Sequence, residues 1–179
     1  MSHRAMGQQP FETLVEAHHG EIFRYLARMT TRASEAEDLV QETFLRAYRA
    51  YRSLTPDANV RAWLFTIATN LTRNHFRTER RRHLAHRALR ESRTELDGAD
   101  PAAVSQLSET QTRVDAVVSN LPLRQRVAFV MRKVHDFDYE VIAENLTCSV
   151  ESARANVFQA LKKIRQSLKE HDLVTEFER

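Results

Sequence analysis

The sequence predicts an all-α protein made of two small helical domains joined by a flexible linker, and three observations support this. Apolar residues recur at three- and four-residue steps through most of the 179-residue chain, which is the helical period. Glycine and proline are scarce, and those that fall between the periodic stretches are Pro10, Pro56, Gly98, Pro101 and Pro122. The polar segment 84–105 carries the turn-rich run DGADP, which predicts a linker or a weak helix between two blocks. A hydrophobic content of 42% is enough to build packed cores.

The first predicted domain covers residues 11–83 and follows a tail, residues 1–10, that we expect to be disordered. Ser34 followed by Glu37 predicts a capping box at the start of its second helix. The predicted elements are a helix Phe11–Thr30, a helix Ser34–Tyr51, a loop Arg52–Asn59 and a helix Val60–Arg82.

The second predicted domain covers residues 106–171, before a C-terminal tail at 172–179. Its last two helices, separated by the short run LTCS, have the spacing of a helix-turn-helix. The predicted helices are Ser108–Ser119, Pro122–Val134, Asp138–Asn145 and Val150–Leu168.

The last of these helices has a buried stripe and an outward face. Apolar side chains from Ala153 to Leu168 form the stripe. Residues suited to base edges and phosphates lie opposite it or at its flanks: Ser152, Arg154, Ala155, Asn156, Gln159, Lys162 and Lys163. Two interpretations stay open from this pattern alone, a duplex-DNA reader or a core hairpin with a solvated face.

The helix Val60–Arg82 carries a stripe of different chemistry beside its core side. From Arg61 to Arg82 there are six arginines against one acid, Glu79. The stripe contains Trp63, Asn70, Asn74, Arg77 and Arg81. Rings stack on exposed bases, amides read base edges and arginines follow the backbone, so the stripe suits single-stranded DNA. The alternative is that Trp63 belongs to the core and the arginines solvate the end of the helix.

The segment 37–51 presents a mostly polar stripe beside a core stripe. Its members are Asp38, Gln41, Glu42 and Leu45. An acidic and amide patch beside an apolar ridge suits a protein partner, and a solvated helix face is the alternative.

Three segments together resemble the extracytoplasmic-function (ECF) subfamily of the sigma-70 family of RNA polymerase sigma factors. The run AEDLVQETFLRAY at 36–48 is similar to a conserved part of the family's first domain, and RAWLFTIATNL at 61–71 to its next signature. The segment 121–154 resembles the start of the family's last domain. The three occur in the family's order.

The resemblance implies a factor that binds core RNA polymerase, recognises the promoter minus-ten and minus-thirty-five elements and promotes transcription initiation. Asp38, Gln41, Glu42 and Leu45 are the residues we expect at the polymerase. The second domain is implied to bind the duplex minus-thirty-five element, and the loop Arg52–Asn59 to enclose a flipped-out base. The residues expected at the melted minus-ten element are Asn59, Trp63, Asn70, Arg73, Asn74, Arg77 and Arg81.

The sequence departs from the family's pattern in the helix-turn-helix turn and in the recognition helix. Thr147 stands in the helix-turn-helix turn where the family usually has glycine, and a β-branched residue is poorly suited to positive φ. The recognition helix has Arg154-Ala155-Asn156 where the family commonly has lysine-serine-arginine, and Gln159 where it usually has arginine. The sequence therefore does not predict which promoter sequence is recognised.

Several classes of function are disfavoured by composition and motif content. No stretch is apolar enough to span a membrane, and we expect a cytoplasmic location. The single cysteine, Cys148, rules out an internal disulfide, and neither a metal site nor a cofactor is expected. No catalytic motif is visible, so we expect no enzymatic activity. Family members are often held by an anti-sigma factor, which makes such a protein a candidate partner.

Two rival functions remain open from the sequence. An ordinary helix-turn-helix repressor or activator would bind duplex DNA tightly without polymerase. A protein that only meets RNA or acidic partners through its basic helices would bind scrambled DNA sequences equally well.

Overall fold

The structure is a computed structural model that describes residues 9–55, 57–90 and 109–177, and in these residues it is built from α-helices without strands. Parts of the predicted N-terminal tail, linker and C-terminal tail lie outside the described residues. The helices in chain order are α1 (Phe11–Met29), α2 (Ala33–Tyr51), α3 (Val60–Arg90), α4 (Glu109–Ser119), α5 (Leu123–Lys133), α6 (Tyr139–Leu146) and α7 (Val150–Phe177). None of the described helices is both long and apolar enough to cross a membrane.

The predicted helices are confirmed at nearly every boundary, with two corrections at C-terminal ends. Helix α3 continues to Arg90, into the predicted linker, and α7 continues to Phe177, through most of the predicted C-terminal tail. The segments 83–90 and 169–177 are polar but contain neither glycine nor proline. Their many leucine, alanine, arginine, lysine and glutamate residues favour helix.

The predicted capping box at Ser34 is wrong. Helix α2 begins at Ala33, and Arg32, in extended conformation, stands at the N-cap without a side-chain hydrogen bond. Side-chain caps occur instead at two other helices. The Asn59 Oδ1 accepts a hydrogen bond from the Ala62 N–H of α3 at 3.0 Å, and the Ser149 Oγ accepts one from the Ser152 N–H of α7 at 3.2 Å.

The first domain, α1 to α3, packs three amphipathic helices around one apolar centre. Ile22 and Tyr25 from α1 and Leu64 and Phe65 from α3 are fully buried there, and Phe44 of α2 is nearly so. The Tyr25 hydroxyl shares a 2.8 Å hydrogen bond with the Thr69 Oγ1. Its burial therefore leaves no unsatisfied polar atom at the centre of this domain.

The second domain, α4 to α7, places the helix-turn-helix on a support made mainly by α5. Val127 and Met131 of α5 are fully buried, as are Ile142 of α6 and Ala153 of α7. The turn between α6 and α7 passes through Thr147, whose φ of 52° and ψ of 57° are left-handed. The turn therefore keeps the conformation that glycine ordinarily provides, at the steric cost of a β-branched side chain.

Candidate nucleic-acid interface

The stripe predicted on α3 lies on the side of that helix opposite the core. Asn70, Asn74, Arg77 and Arg81 are exposed, whereas Trp63 is half-buried and packs partly against the core. Trp63 therefore has features of both interpretations, a core residue and a ring available for stacking. The core holds part of the ring, and the rest is open to solvent. A ring held in this way is pre-organised for stacking.

Contacts along α3 set the directions of the polar groups around this stripe. An Arg77 Nη2 donates to the Asn74 Oδ1 at 3.2 Å, which holds the amide and the guanidinium next to each other. Arg73 is half-buried at the side of the stripe. Asn59 is exposed, but its side-chain oxygen is used to cap α3, so only its amide nitrogen is free of this cap.

The outward face of α7 contains the residues predicted for duplex DNA. Six of these are exposed and one, Asn156, is half-buried. Asn156 Nδ2 donates to the Ser152 carbonyl at 2.8 Å, which fixes its amide against the helix. The exposed members are Ser152, Arg154, Ala155, Gln159, Lys162 and Lys163.

Arginine and aromatic groups support the first turn of α7. The guanidinium carbon of Arg154 lies 5.0 Å from the centre of the Tyr139 ring, and that of Arg132 lies 4.9 Å from the same ring. Tyr139 is therefore the common platform for two cations, one from α5 and one from the recognition helix.

Glu151 gives the exposed N-terminal turn of α7 a negative charge. Hydrogen bonds from its own backbone N–H and from the Ser149 hydroxyl lower the pKa of the Glu151 carboxyl. It is therefore ionised at neutral pH, where it disfavours a phosphate and suits a base-edge amino donor.

Phe158 is a residue of this face that sequence analysis missed. Its side chain is 63% exposed, one helical turn beyond Arg154 and one before Lys162. The prediction sought polar groups opposite the buried stripe and passed over an apolar one. The signal was present, because Phe158 is adjacent to the buried Val157 but outside the stripe that continues through Ala160.

The predicted stripe on α2 is also at the surface. Asp38 and Gln41 are exposed, Glu42 is half-buried, and Leu45 is 44% exposed. Glu42 forms an ion pair with Arg46, with 2.6 Å between Oε1 and Nε.

An aromatic group that the sequence analysis did not select extends the α2 surface. Tyr48 is 58% exposed, and its ring lies edge-on to Phe11 of α1 at 5.2 Å between centroids. The α2 surface therefore combines acidic, amide and apolar groups.

The described residues contain no arrangement of side chains that could hold a metal ion. No group of three or more histidine, cysteine, aspartate or glutamate side chains is gathered there. Cys148 is half-buried in the turn before α7, with a free thiol.

Comparison with known proteins accounts for both domains. The family description Sigma-70 region 2 matches residues 14–82, and Sigma-70, region 4 matches residues 102–164, so the two together span well over half of the chain. The chain belongs to the ECF subfamily of the sigma-70 family. Its relatives are transcription initiation factors, and this sigma factor is a promoter-recognising initiation factor.

Two curated relatives illustrate the likeness over nearly the whole length. The RNA polymerase sigma-H factor of Pseudomonas aeruginosa is 28% identical over 168 residues, which cover 90% of this chain and 87% of that protein. The ECF RNA polymerase sigma-E factor of Haemophilus influenzae is 29% identical over 168 residues, covering 90% and 88%.

Solved structures support the fold of this sigma factor. A sigma factor RpoE from Bartonella quintana, crystallised with the anti-sigma factor NepR, matches with a TM-score of 0.70 at 22% identity, covering 89% of this chain and 96% of that one. CnrH, in complex with the cytosolic domain of CnrY, matches with a TM-score of 0.65 at 22% identity, covering 89% and 88%.

Proposed function

We propose that this sigma factor divides its work among three surfaces: α2 binds core RNA polymerase, the α3 stripe binds the melted minus-ten element, and the outward face of α7 binds the duplex minus-thirty-five element. The observation that carries the proposal is the α3 stripe. It puts one half-anchored aromatic ring, two exposed amides and two exposed arginines on the side of one helix. Ring stacking is tolerant of sequence, and amide reading adds preference.

The α7 face supports duplex rather than single-strand recognition. Except for Phe158 its outward face carries no aromatic platform, and its first turns present Ser152, Arg154 and Asn156, whose groups suit base edges in a major groove. We assign Phe158 to an apolar contact with a thymine methyl group, which is the feature that distinguishes thymine in that groove. Lys162 and Lys163, one turn further on, are suited to phosphates.

The α2 surface supports a protein partner. Asp38, Gln41 and Leu45 are exposed beside Tyr48, and exposed aromatic and aliphatic groups rimmed by polar ones mark protein interfaces. We assign this surface to the core polymerase. The loop 52–59 follows α2 directly and precedes α3, which supports its assignment to the flipped-out base of the minus-ten element.

An anti-sigma factor is a further proposed partner, supported by the similar solved structure of RpoE from Bartonella quintana, which contains the anti-sigma factor NepR. The sigma factor contributes binding and strand opening, while the catalytic chemistry of transcription belongs to the polymerase. Because bacterial RNA polymerase works in the cytoplasm, this is the proposed location.

Run-off transcription with purified core polymerase on a genomic promoter library tests the function as a whole. We expect discrete start sites that share two sequence elements upstream. Core polymerase alone and a known sigma factor serve as negative and positive controls. Absence of any start site while the known sigma factor succeeds would overturn the proposal. Tight sequence-specific binding to duplex DNA without polymerase would favour a repressor or activator instead.

Charge reversal on α2 tests the polymerase surface separately. Asp38→Arg with Glu42→Arg should lower affinity for core polymerase on the order of a hundredfold, because like charges brought together at an interface cost several kcal/mol. The matched control is Glu12→Arg with Glu16→Arg, the same change at the same spacing on exposed positions of α1. Equal affinity of the two double variants, measured by fluorescence anisotropy, would remove the assignment.

A further inference from the structure

The two domains meet at a polar bracket that belongs to the first domain and holds a loop of the second. Arg61 of α3 and Glu21 of α1 are paired, with Arg61 Nε 2.9 Å from Glu21 Oε1. His135 lies in the loop between α5 and α6, and its carbonyl accepts a hydrogen bond from Arg61 Nη2 at 2.5 Å. Its ring Nδ1 lies 3.1 Å from the same Glu21 Oε1. Arg61 and Glu21 therefore contact both the backbone and the side chain of His135.

Apolar contacts surround this bracket. The Phe65 ring of the first domain lies edge-on to the Phe137 ring of the second at 4.7 Å, and to His135 at 4.8 Å. The Arg61 guanidinium also stands over the Phe137 ring at 4.1 Å. Phe65 and His135 are nearly inaccessible to solvent in consequence. Each domain thus covers an apolar patch of the other.

A second buried contact joins the domains at the end of α1. Arg126 of α5 is 7% exposed, and its Nη1 donates to the Met29 carbonyl at 2.8 Å. Its Nη2 donates to the carbonyls of Ser119 and Leu121 within the second domain. One guanidinium therefore connects the C-terminal end of α1 to the turn before α5.

This interface leaves both candidate DNA surfaces free. On α3, Arg61 and Phe65 face the second domain, whereas Trp63, Asn70 and Asn74 lie on the opposite side of the helix. On α7, the outward face is exposed while the buried stripe packs within its own domain. Contact between the domains does not mask either surface.

In the closed arrangement, however, the two DNA surfaces lie too close together to bind both promoter elements at the same time. The minus-ten and minus-thirty-five positions are about 25 base pairs apart, which is roughly 85 Å along duplex DNA at about 3.4 Å per base pair. A compact chain of 179 residues has a diameter of roughly 40 Å. The 18 residues between Arg90 and Glu109 can span up to about 60 Å when extended, which is enough for the domains to part.

We propose that the Arg61–Glu21 bracket and the His135 loop form an interdomain latch, which lets either DNA surface bind alone but prevents both from engaging one promoter until it opens. Opening is then a step that binding to polymerase must drive. The latch is a property of the free chain and does not depend on the proposed function. Only its effect on promoter binding rests on that function.

Distances between two spin labels test the latch in the full-length free chain. Labels are placed on Glu16→Cys and Arg165→Cys, both exposed, in a Cys148→Ser background. The unaltered latch should give one narrow distance distribution. His135→Asp sets a carboxylate against Glu21, and Glu21→Arg sets a cation against Arg61. Each should raise the separated population by about tenfold or more.

Combination of the two changes distinguishes a latch from damage to folding. His135→Asp with Glu21→Arg creates a new pair of opposite charges and should restore the narrow distribution, which misfolding of either single variant would not allow. Val134→Asp adds the same carboxylate at an exposed neighbouring position and should leave the distribution narrow. A broad distribution in the unaltered chain, or no rescue in the combination, would overturn the latch.

Binding to DNA separates failure of the latch from failure of the proposed function. The single latch variants should bind a minus-thirty-five duplex within twofold of the unaltered chain, and should form open complexes with polymerase faster. If the affinity for the duplex changes in proportion to the separated population, the claim that the α7 surface stays free in the closed form is wrong. If the unaltered chain starts no transcription, the proposed function fails while the distance result still decides the latch.

Discussion

The two candidate DNA surfaces, on α3 and on α7, are built in different ways. On α3 the central group is a large ring that is half-buried and held by the core, flanked by long cationic side chains. On α7 the outward side chains are small groups, amides and three cations, and the one aromatic ring among them, Phe158, is largely exposed instead of held by the core. A held ring suits an unstacked base, and small and amide groups flanked by cations suit base edges and phosphates in a duplex groove. The difference indicates two forms of DNA bound by one chain.

The largest expected effect concerns the ring of α3. Trp63→Ala removes a stacking platform worth about 1 to 3 kcal/mol, so open-complex formation should fall about five- to 150-fold while affinity for core polymerase is kept. Permanganate footprinting of melted thymines measures the first quantity and fluorescence anisotropy the second. Trp63→Phe, which retains a ring, should recover most of the loss. A parallel loss of melting temperature and polymerase binding would instead assign Trp63 to the core.

A smaller effect is expected at the ring of α7. If Phe158 touches a thymine methyl, replacement of that thymine by deoxyuracil should weaken duplex binding about fourfold, because one buried methyl contributes about 0.8 kcal/mol. Phe158→Ala should weaken binding to the thymine duplex and abolish the difference between the two duplexes. A scan of single deoxyuracil substitutions through the minus-thirty-five element locates the base. A difference that persists in Phe158→Ala would assign the methyl contact to another side chain.

The sequence predicted these two surfaces unequally, and the reason is physical. Helical periodicity and residue chemistry were sufficient to identify the α3 stripe, because a tryptophan among amides and arginines stands out from a core. Phe158 was missed because only polar side chains were sought on this face, although its place outside the buried stripe already marks it as a surface residue. The C-terminal ends of α3 and α7 were missed because segments rich in charged residues beside a turn-rich run or a chain end are typical of linkers and tails.

The interdomain contact was beyond sequence reasoning altogether. His135 lies 114 positions from Glu21 and 74 from Arg61, and no local pattern links them. Likewise, Arg126 is an arginine within an amphipathic helix, where a position at the surface is the ordinary expectation. Its burial is explained only by three carbonyl oxygens, one of them from the other domain.

The salt dependence of DNA affinity also distinguishes the α3 surface from the α7 surface, with a smaller expected effect. Loss of one phosphate contact should reduce the slope of log affinity against log salt by about 0.7 on single-stranded DNA and about 0.9 on duplex DNA. Arg77→Ala should show the first value on a pre-melted promoter bound with polymerase, and Lys163→Ala the second on a minus-thirty-five duplex. Between 50 and 200 mM salt each amounts to about threefold in affinity. Arg24→Ala, an exposed arginine of α1, is the control and should change neither slope.

The smallest expected effect is that of pH on the contact between the domains that carry the two surfaces. Burial lowers the pKa of His135 from its ordinary 6.5, opposed by Glu21 and assisted by Arg61 and Arg28, the charged groups that face it from α3 and α1. Its Nε2 is buried without a hydrogen-bond partner in the described structure, so a proton there has no acceptor. The closed form therefore favours neutral His135.

The contact is at full strength above pH 6.5 and weakens as the pH falls from 6.5 towards the lowered pKa, because the separated form takes up the proton first. Burial raises the pKa of Glu21, but hydrogen bonds from Arg61 and His135 outweigh it and leave that pKa below 4.5, so a second loss follows below pH 4.5. The label distances should therefore lengthen between pH 7.5 and 5.5. The shift should be smaller than in the charge variants, since the Arg61 bond to the His135 carbonyl and the Phe65–Phe137 contact carry no titrating proton. His135→Asn should remove the dependence in this range, and its persistence there would assign the titration to another group.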